Sequence, residues 1–208
     1  MILSLERGIY LASRSPRRRE LLAQIDVRFH LLLFRTRPGE DMEVDETPLA
    51  GEAAETYVER LARAKAEGGW RRMTQRNLPR APVLSADTTV AVDGRIFGKP
   101  ANREEAATML GALSGKTHEV LTAVALKNED WLESIVSRSE VRFKTLAAAE
   151  IADYLESGES DDMAGAYAIQ GRAARFIVEL RGSYSGVMGL PLYETAQLLE
   201  KLRGRNPH

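Results

Sequence analysis

Ser85-Ala-Asp87-Thr88-Thr89 follows the apolar run Pro82-Val-Leu84, so a carboxylate stands at the end of β-prone sequence where core packing gives it no role. Such an Asp can hold a divalent cation or take a proton from a water directed at phosphorus. The competing reading is an Asp that caps a turn. A second concentration of reactive types is Leu11-Ala-Ser13-Arg-Ser15-Pro-Arg17-Arg18-Arg19. A strand running into a hydroxyl-rich turn and a helix start offers free backbone N–H groups and a helix dipole, both of which favour phosphate. Arg17 and Arg18 add forked donors suited to phosphate oxygens. The plainer alternative is a capped helix with a solvated basic first turn, although arginines there oppose the dipole and need a compensating partner.

Four more positions carry chemistry only in company. Glu46, in Val44-Asp-Glu-Thr-Pro48, is a candidate metal ligand or an ordinary acidic loop residue. Lys65 has Arg63 and Glu67 as charged neighbours, and Lys99 sits in the constrained Gly98-Lys-Pro100 turn; singly, each reads as a surface lysine. Gln170, in Tyr167-Ala-Ile-Gln-Gly171, can read a base edge or satisfy backbone groups in a turn. Gly111-Ala-Leu-Ser-Gly-Lys-Thr117 imitates a phosphate-binding P-loop, but its glycine spacing is one residue short. It also follows a helix and precedes a strand, the reverse of the context such a loop needs.

The elements that must place these residues follow from pattern. Gly8–Ala12 predicts a buried strand, Ser15-Pro16 opens a helix to about Gln24 with Ser15 as its cap, and Phe29–Phe34 predicts a second strand. Arg35–Gly51 is a charged loop with Pro38, Gly39 and Pro48. Helical periodicity spans Glu52 to Gln75, with Tyr57, Leu61 and Ala64 on one face. Pro82–Val92 is a strand, Asp93-Gly94 a hairpin turn, and Arg95–Phe97 its return. A helix from Asn102 to Leu113, strands over Val120–Leu126 and Ile135–Leu146, and a helix over Ala147–Ser157 come next. A strand over Phe176–Leu180 and a helix over Leu190–Arg203 close the chain. Strands and helices alternate, but the hairpins exclude a purely parallel sheet, which leaves an α/β fold on a mixed sheet.

Composition narrows the partners. The 208 residues suit one large α/β domain or two closely joined lobes, and 44% hydrophobic with 28% charged residues is an ordinary globular balance. A net charge of -1 supplies no global field for nucleic acid. With no cysteine, thiol nucleophiles and Cys-based zinc sites are excluded. The three histidines, His30, His118 and His208, are too scattered in sequence for a histidine-based triad, so a metal would rest on carboxylates and substrate oxygens. The start lacks a signal-peptide pattern and no apolar run approaches ~20 residues, so the expectation is a cytoplasmic protein with no membrane partner.

The order of the motifs resembles the Maf family. Leu11-Ala-Ser-Arg-Ser-Pro-Arg-Arg-Arg-Glu-Leu-Leu22 is similar to its N-terminal signature. The likeness continues through Val44-Asp-Glu46, Arg60-Leu-Ala-Arg-Ala-Lys65, Ala86-Asp-Thr88 and Gly98-Lys-Pro100. Further on it takes in Leu113–Val120, Ala164-Gly-Ala-Tyr-Ala-Ile-Gln-Gly171 and Gly189-Leu-Pro-Leu192, from about residue 9 to 200 in all. The resemblance implies a single domain over residues 1–208 with a Maf/Ham1-like fold, a long mixed β-sheet with flanking helices and two lobes around a cleft. It implies cleavage of a nucleoside triphosphate to monophosphate and pyrophosphate, assisted by Mg²⁺ or Mn²⁺, in a homodimer. The family's general base falls on Asp87, its phosphate and metal positions on Ser13, Arg17, Arg18, Glu46, Lys65 and Lys99, with Glu46 and Asp87 as metal ligands. Its specificity positions fall on Arg17, Thr88 and Gln170.

Within the resemblance, paired Arg17-Arg18 and the Ala-Tyr-Ala-Ile-Gln-Gly form match the branch that prefers dTTP and UTP. The branch acting on 7-methyl-GTP carries an aromatic residue at position 17 and a Ser-rich stretch in place of Tyr167–Gly171. Two departures stand out: Leu33–Met42 reads as an insertion, and Met163 replaces a common lysine. A pyrophosphatase of modified nucleotides would use the same catalytic residues. A regulatory or nucleic-acid-binding role in septum formation is the alternative of another class. The near-neutral charge and missing aromatic-basic pattern argue against it, and against stable nucleic-acid binding.

Overall fold

The computed structural model describes residues 8–33 and 44–205. The expected strand end at Phe34, residues 35–43 of the loop, all of the Leu33–Met42 insertion after Leu33, and His208 lie outside the described residues. In chain order the elements are β1 (Ile9–Leu11), α1 (Pro16–Gln24), β2 (Phe29–Leu31), α2 (Ala54–Gln75), β3 (Val83–Val92) and β4 (Arg95–Phe97). There follow α3 (Arg103–Leu113), β5 (Thr117–Asn128), β6 (Trp131–Phe143), α4 (Ala148–Glu156), β7 (Ile177–Arg181), α5 (Tyr184–Met188) and α6 (Leu192–Arg205). One seven-stranded sheet takes the order β2-β1-β3-β5-β6-β7, with β4 paired to β3. β1 runs parallel to β2 and β3, whereas β3–β4 and β6–β7 are antiparallel, so the sheet is mixed as expected. No helix among the described residues is long and apolar enough to cross a membrane.

The chain divides into two compact units. The first comprises Met1–Asp87, Thr122–Val136 and Gly189–His208, and its frame is β1 and β3 under α2. Tyr10 and Leu11 pair with Val83 and Leu84, and Ala12 donates its N–H to the Leu84 carbonyl at 2.8 Å. Residues just past β1 and residues in the middle of β3 therefore share one level. Helix α2 presents Tyr57, Val58, Leu61, Ala62, Ala66, Gly69 and Met73 to the interior. Gly69 is there because the helix lies so close that an added Cβ would stand 2.8 Å from Val83 Cγ1 and 3.2 Å from Ala12 Cβ. Lower along the helix, the Ser85 hydroxyl donates to the Ala62 carbonyl at 2.6 Å. These two contacts fix the height of α2 against β3.

The second unit comprises Thr88–Leu121 and Ser137–Met188. Its core gathers Phe143, Tyr154, Tyr167 and Phe176, whose rings meet edge to face, as with 4.9 Å between the Phe143 and Tyr167 centroids. Inside it lies His118, 1% exposed, with Nε2 2.8 Å from the Tyr167 hydroxyl. Burial pushes this imidazole from 6.5 down to about 4. The folded state thus favours the neutral ring, and that contribution is complete above pH 6.5 and is lost as pH falls toward 4. The expected loss on reaching pH 4 is about 3 kcal/mol. Urea unfolding near neutral pH and near pH 4 checks it: the difference should shrink in His118→Phe, and an unchanged difference would remove His118 as the cause.

Several boundaries depart from expectation. β5 and β6 are longer than their apolar runs, because pairing across the Glu129-Asp130 turn carries polar residues along. β6 stops at Phe143, since the Leu146 N–H goes to Ser114 Oγ at 2.8 Å rather than to a strand. Short 3-10 segments over Ala164–Ala166 and Arg172–Phe176, and the five-residue α5, have no periodicity to announce them. Ser15 occupies the cap position of α1 but makes no side-chain cap bond. Its own N–H donates instead to Ser13 Oγ at 3.2 Å, so the hydroxyl that organises this turn is Ser13. The P-loop imitation is the end of α3 followed by a turn into β5.

Candidate active site

In the first unit the end of β1, the middle of β3 and the middle of α2 meet. Val83, Ser85 and Asp87 alternate onto one face of β3, and that face is the one α2 covers. A helical side chain leans toward its helix N-terminus, and α2 runs against the direction of β3. Lys65 therefore reaches past Ser85 to Asp87, its Nζ 2.6 Å from Asp87 Oδ1. The same Nζ lies 2.6 Å from Glu46 Oε1, so one ammonium bridges two carboxylates whose oxygens are within twice that distance of each other. Asp87 is buried and the Lys65 side chain is only 19% exposed, which takes lysine out of the surface class.

Arg18 finds the partners that the basic helix start required. Its Nε donates to the Gly189 carbonyl at 2.7 Å and its Nη1 to Ser13 Oγ at 3.3 Å. Desolvation lowers its pKa most, Asp87 opposes that, adjacent Arg17 adds to it, and Glu46 opposes it. Arginine stays charged nonetheless. Ser13, Arg17, Arg18, Glu46, Lys65 and Asp87 are thus one electrostatic cluster, assembled from segments far apart in sequence.

Glu46 is held from behind by Tyr57 and Arg60, for which pattern alone suggests no part in the site. Tyr57 donates its hydroxyl to the Glu46 carbonyl at 2.8 Å, and burial with nearby Asp87 and Glu46 raises that phenol to about 12. Arg60 forks onto Glu52 through Nε and Nη2 at 2.7 Å each, Nη2 also donates to the Thr47 carbonyl at 3.2 Å, and Nη1 reaches the Asp45 carbonyl at 3.4 Å. That fork holds the Glu52 carboxyl down at about 2. Asp45 accepts from the Thr47 N–H at 2.9 Å, and Glu52 from the Leu49 N–H at 3.0 Å, closing the loop on itself. Arg60 falls within a motif of the sequence, yet its partner Glu52 lies ahead of the helix, so no i,i+4 rule could pair them. If the Glu46 carboxylate takes a divalent cation, Arg60→Ala should release this loop and raise the Mg²⁺ concentration needed for half-maximal activity about 10- to 100-fold, as loss of outer supports does. Titrating activity with Mg²⁺ measures it, and an unchanged metal dependence would sink the supporting role.

Thr88, Lys99 and Gln170 belong to the second unit. Thr88 follows Asp87 directly in β3 and is half-buried. Lys99 is exposed after β4, with only a loose 3.4 Å contact to Asp162. Gln170 is exposed on the segment after Ala164–Ala166, and this segment is tied to the Lys99 turn by the Gly165 N–H on the Gly98 carbonyl at 3.0 Å.

Among the described residues no group of three or more His, Cys, Asp or Glu forms a metal cage. Two carboxylates converging on one cation nevertheless suit Mg²⁺, which takes one or two carboxylates and completes its shell with water and substrate phosphate. The Lys65 ammonium already marks that spot as favourable to positive charge. The arrangement can hold a triphosphate's charge, place a buried carboxylate as proton acceptor, and accommodate one hydrated cation.

The family model described as "Maf-like protein" matches residues 8–202. The dTTP/UTP pyrophosphatase of Aromatoleum aromaticum is 59% identical over 197 residues, covering 94% of this chain and 96% of that protein. The protein of the same name from Nitrosospira multiformis is 57% identical over 196 residues, covering 94% and 95%. Among solved structures, the Ham1 protein of Staphylococcus aureus aligns at a TM-score of 0.50 and 12% identity, over 95% of this chain and 99% of that one. That likeness is one of fold.

Proposed function

Because this chain belongs to the Maf family, we propose that it hydrolyses dTTP and UTP to the nucleoside monophosphate and pyrophosphate. The observation that carries the reading is Lys65 Nζ set 2.6 Å from both Asp87 and Glu46, beside the Ser13–Arg18 turn. Curated relatives named for this activity match nearly the whole chain.

The residues divide the work by their chemistry. The Ser13 turn and the start of α1 receive phosphate oxygens, with Arg17 and Arg18 as forked cations. The bonds of Arg18 to Gly189 and Ser13 orient its guanidinium plane before substrate arrives. Asp87 takes a proton from the water whose oxygen attacks the α-phosphorus. The bond from that phosphorus to the bridging oxygen breaks, and pyrophosphate leaves with the electron pair. Lys65 and Lys99 neutralise charge on the departing pyrophosphate. Glu46 and Asp87 would hold a Mg²⁺ or Mn²⁺, which would screen the triphosphate's charge and polarise its phosphoryl oxygens. The Gln170 amide, donor and acceptor at once, pairs with a pyrimidine edge, and Thr88 and Arg17 complete the specificity set.

Product analysis with dTTP, UTP, CTP, GTP, ATP and 7-methyl-GTP tests the proposal. Pyrophosphate and monophosphate from dTTP and UTP are expected. Turnover confined to 7-methyl-GTP would move the chain to the other branch and remove the role of Gln170.

A further inference from the structure

We infer that Tyr154 and Glu159 are positioning residues that hold Gln170 where it can read a pyrimidine. The inference rests on the base-reading role of Gln170 proposed above. Gln170 is exposed, and among the described residues its side chain makes no hydrogen bond. Its position is therefore set by its backbone, and the backbone on both sides is pinned.

The chain enters the segment through two successive left-handed residues, Gly165 at φ 67° and fully buried Ala166 at φ 62°. A Cβ on Gly165 would stand 2.7 Å from Val90 Cγ2, and an alanine in the left-handed region is uncommon enough to signal a placement under constraint. Tyr167 then turns into the core, its hydroxyl 2.8 Å from His118 Nε2. The next N–H, of Ala168, donates to the Tyr154 hydroxyl at 3.2 Å. Past the glutamine, Gly171 donates to the Ala168 carbonyl at 3.1 Å, and the Arg172 N–H donates to Glu159 Oε2 at 2.7 Å. Glu159 sits so close that a Cβ on Gly171 would collide with the same oxygen.

Two of these side chains are packed inside the core of the second unit. Tyr154 is fully buried with its ring edge-on to Phe176 at 5.4 Å, and His118 is wedged edge-on to Phe143 at 4.9 Å. A carboxamide that must match the adjacent N3–H and carbonyl of uracil keeps both hydrogen bonds strong only while each stays within about 3.2 Å and close to linear. An exposed glutamine on a slack loop could not hold that register; one tied at positions 167, 168, 171 and 172 can.

Steady-state kinetics on UTP and GTP should compare the intact protein with Tyr154→Phe, Glu159→Ala, Gln170→Ala and the double variant Tyr154→Phe/Gln170→Ala. The expected result is a rise of about 5-fold in KM for UTP in Tyr154→Phe and Glu159→Ala, with kcat little changed and the preference for UTP over GTP reduced in proportion. The double variant should discriminate no worse than Gln170→Ala, since both act through one contact. An equal loss on both nucleotides would mean a merely structural role and would overturn the inference. So would full preference in both single anchor variants while Gln170→Ala loses it; base reading would then stand alone. Gln170→Ala with unchanged preference would overturn base reading, and the positioning role with it. Should Tyr154→Phe fail to fold, Glu159→Ala, a change at a partly exposed carboxylate, carries the test.

Discussion

Asp87→Asn is expected to lower UTP turnover about 10³-fold, the scale of a lost general base. The substitution keeps volume and shape, and Lys65 retains Glu46 at 2.6 Å, so melting should shift by only a few degrees. The variant also separates the two roles that Asp87 can fill. If proton acceptance dominates, the loss persists at any Mg²⁺ concentration, because an amide cannot accept the proton. If metal holding dominates, excess Mg²⁺ restores much of the rate, because Glu46 and the substrate phosphates still bind it. A variant retaining a tenth or more of its activity at ordinary metal concentration would end both roles.

Much of the site was legible because its residues contradict their surroundings. Asp87 interrupts a β-prone apolar stretch, and Arg17 and Arg18 crowd the wrong end of a helix dipole; both misfits resolve into one cluster. Lys65 was not legible by itself. Its neighbours Arg63 and Glu67 suggest a solvated face, and only the close approach of α2 at Gly69 and the Ser85–Ala62 bond turn position 65 toward β3. The loop clamp was hidden for a related reason. Tyr57 has the periodicity of a core residue, and its service to the Glu46 carbonyl depends on where the tip of a buried ring emerges. The fold divides the same way. Asn102 caps α3 as its type requires, accepting from the Glu105 N–H at 2.9 Å, whereas Ser15 stands at the cap position of α1 without a side-chain cap bond, and the Ser13 hydroxyl that receives its N–H depends on the path of the turn.

Lys65→Met is expected to move two quantities in opposite directions. In the resting protein the ammonium occupies both carboxylates at 2.6 Å, so any metal must compete with a cation already in place. Methionine keeps most of the stem's apolar length on the side of α2 that faces β3 while removing that competitor, and Mn²⁺ should bind more tightly. Glu46 is half exposed and can turn toward water, so repulsion between the unpaired carboxylates is relieved without unfolding. Turnover should nevertheless fall about 10²- to 10³-fold, because the charge that faces the departing pyrophosphate is gone. Titrating Mn²⁺ by its paramagnetic resonance signal, alongside kcat for UTP, reads both. Tighter metal with slower turnover assigns Lys65 to the leaving group and explains why a lysine is set between two carboxylates that a metal also wants. Weaker metal with unchanged kcat would make the lysine a structural bridge alone.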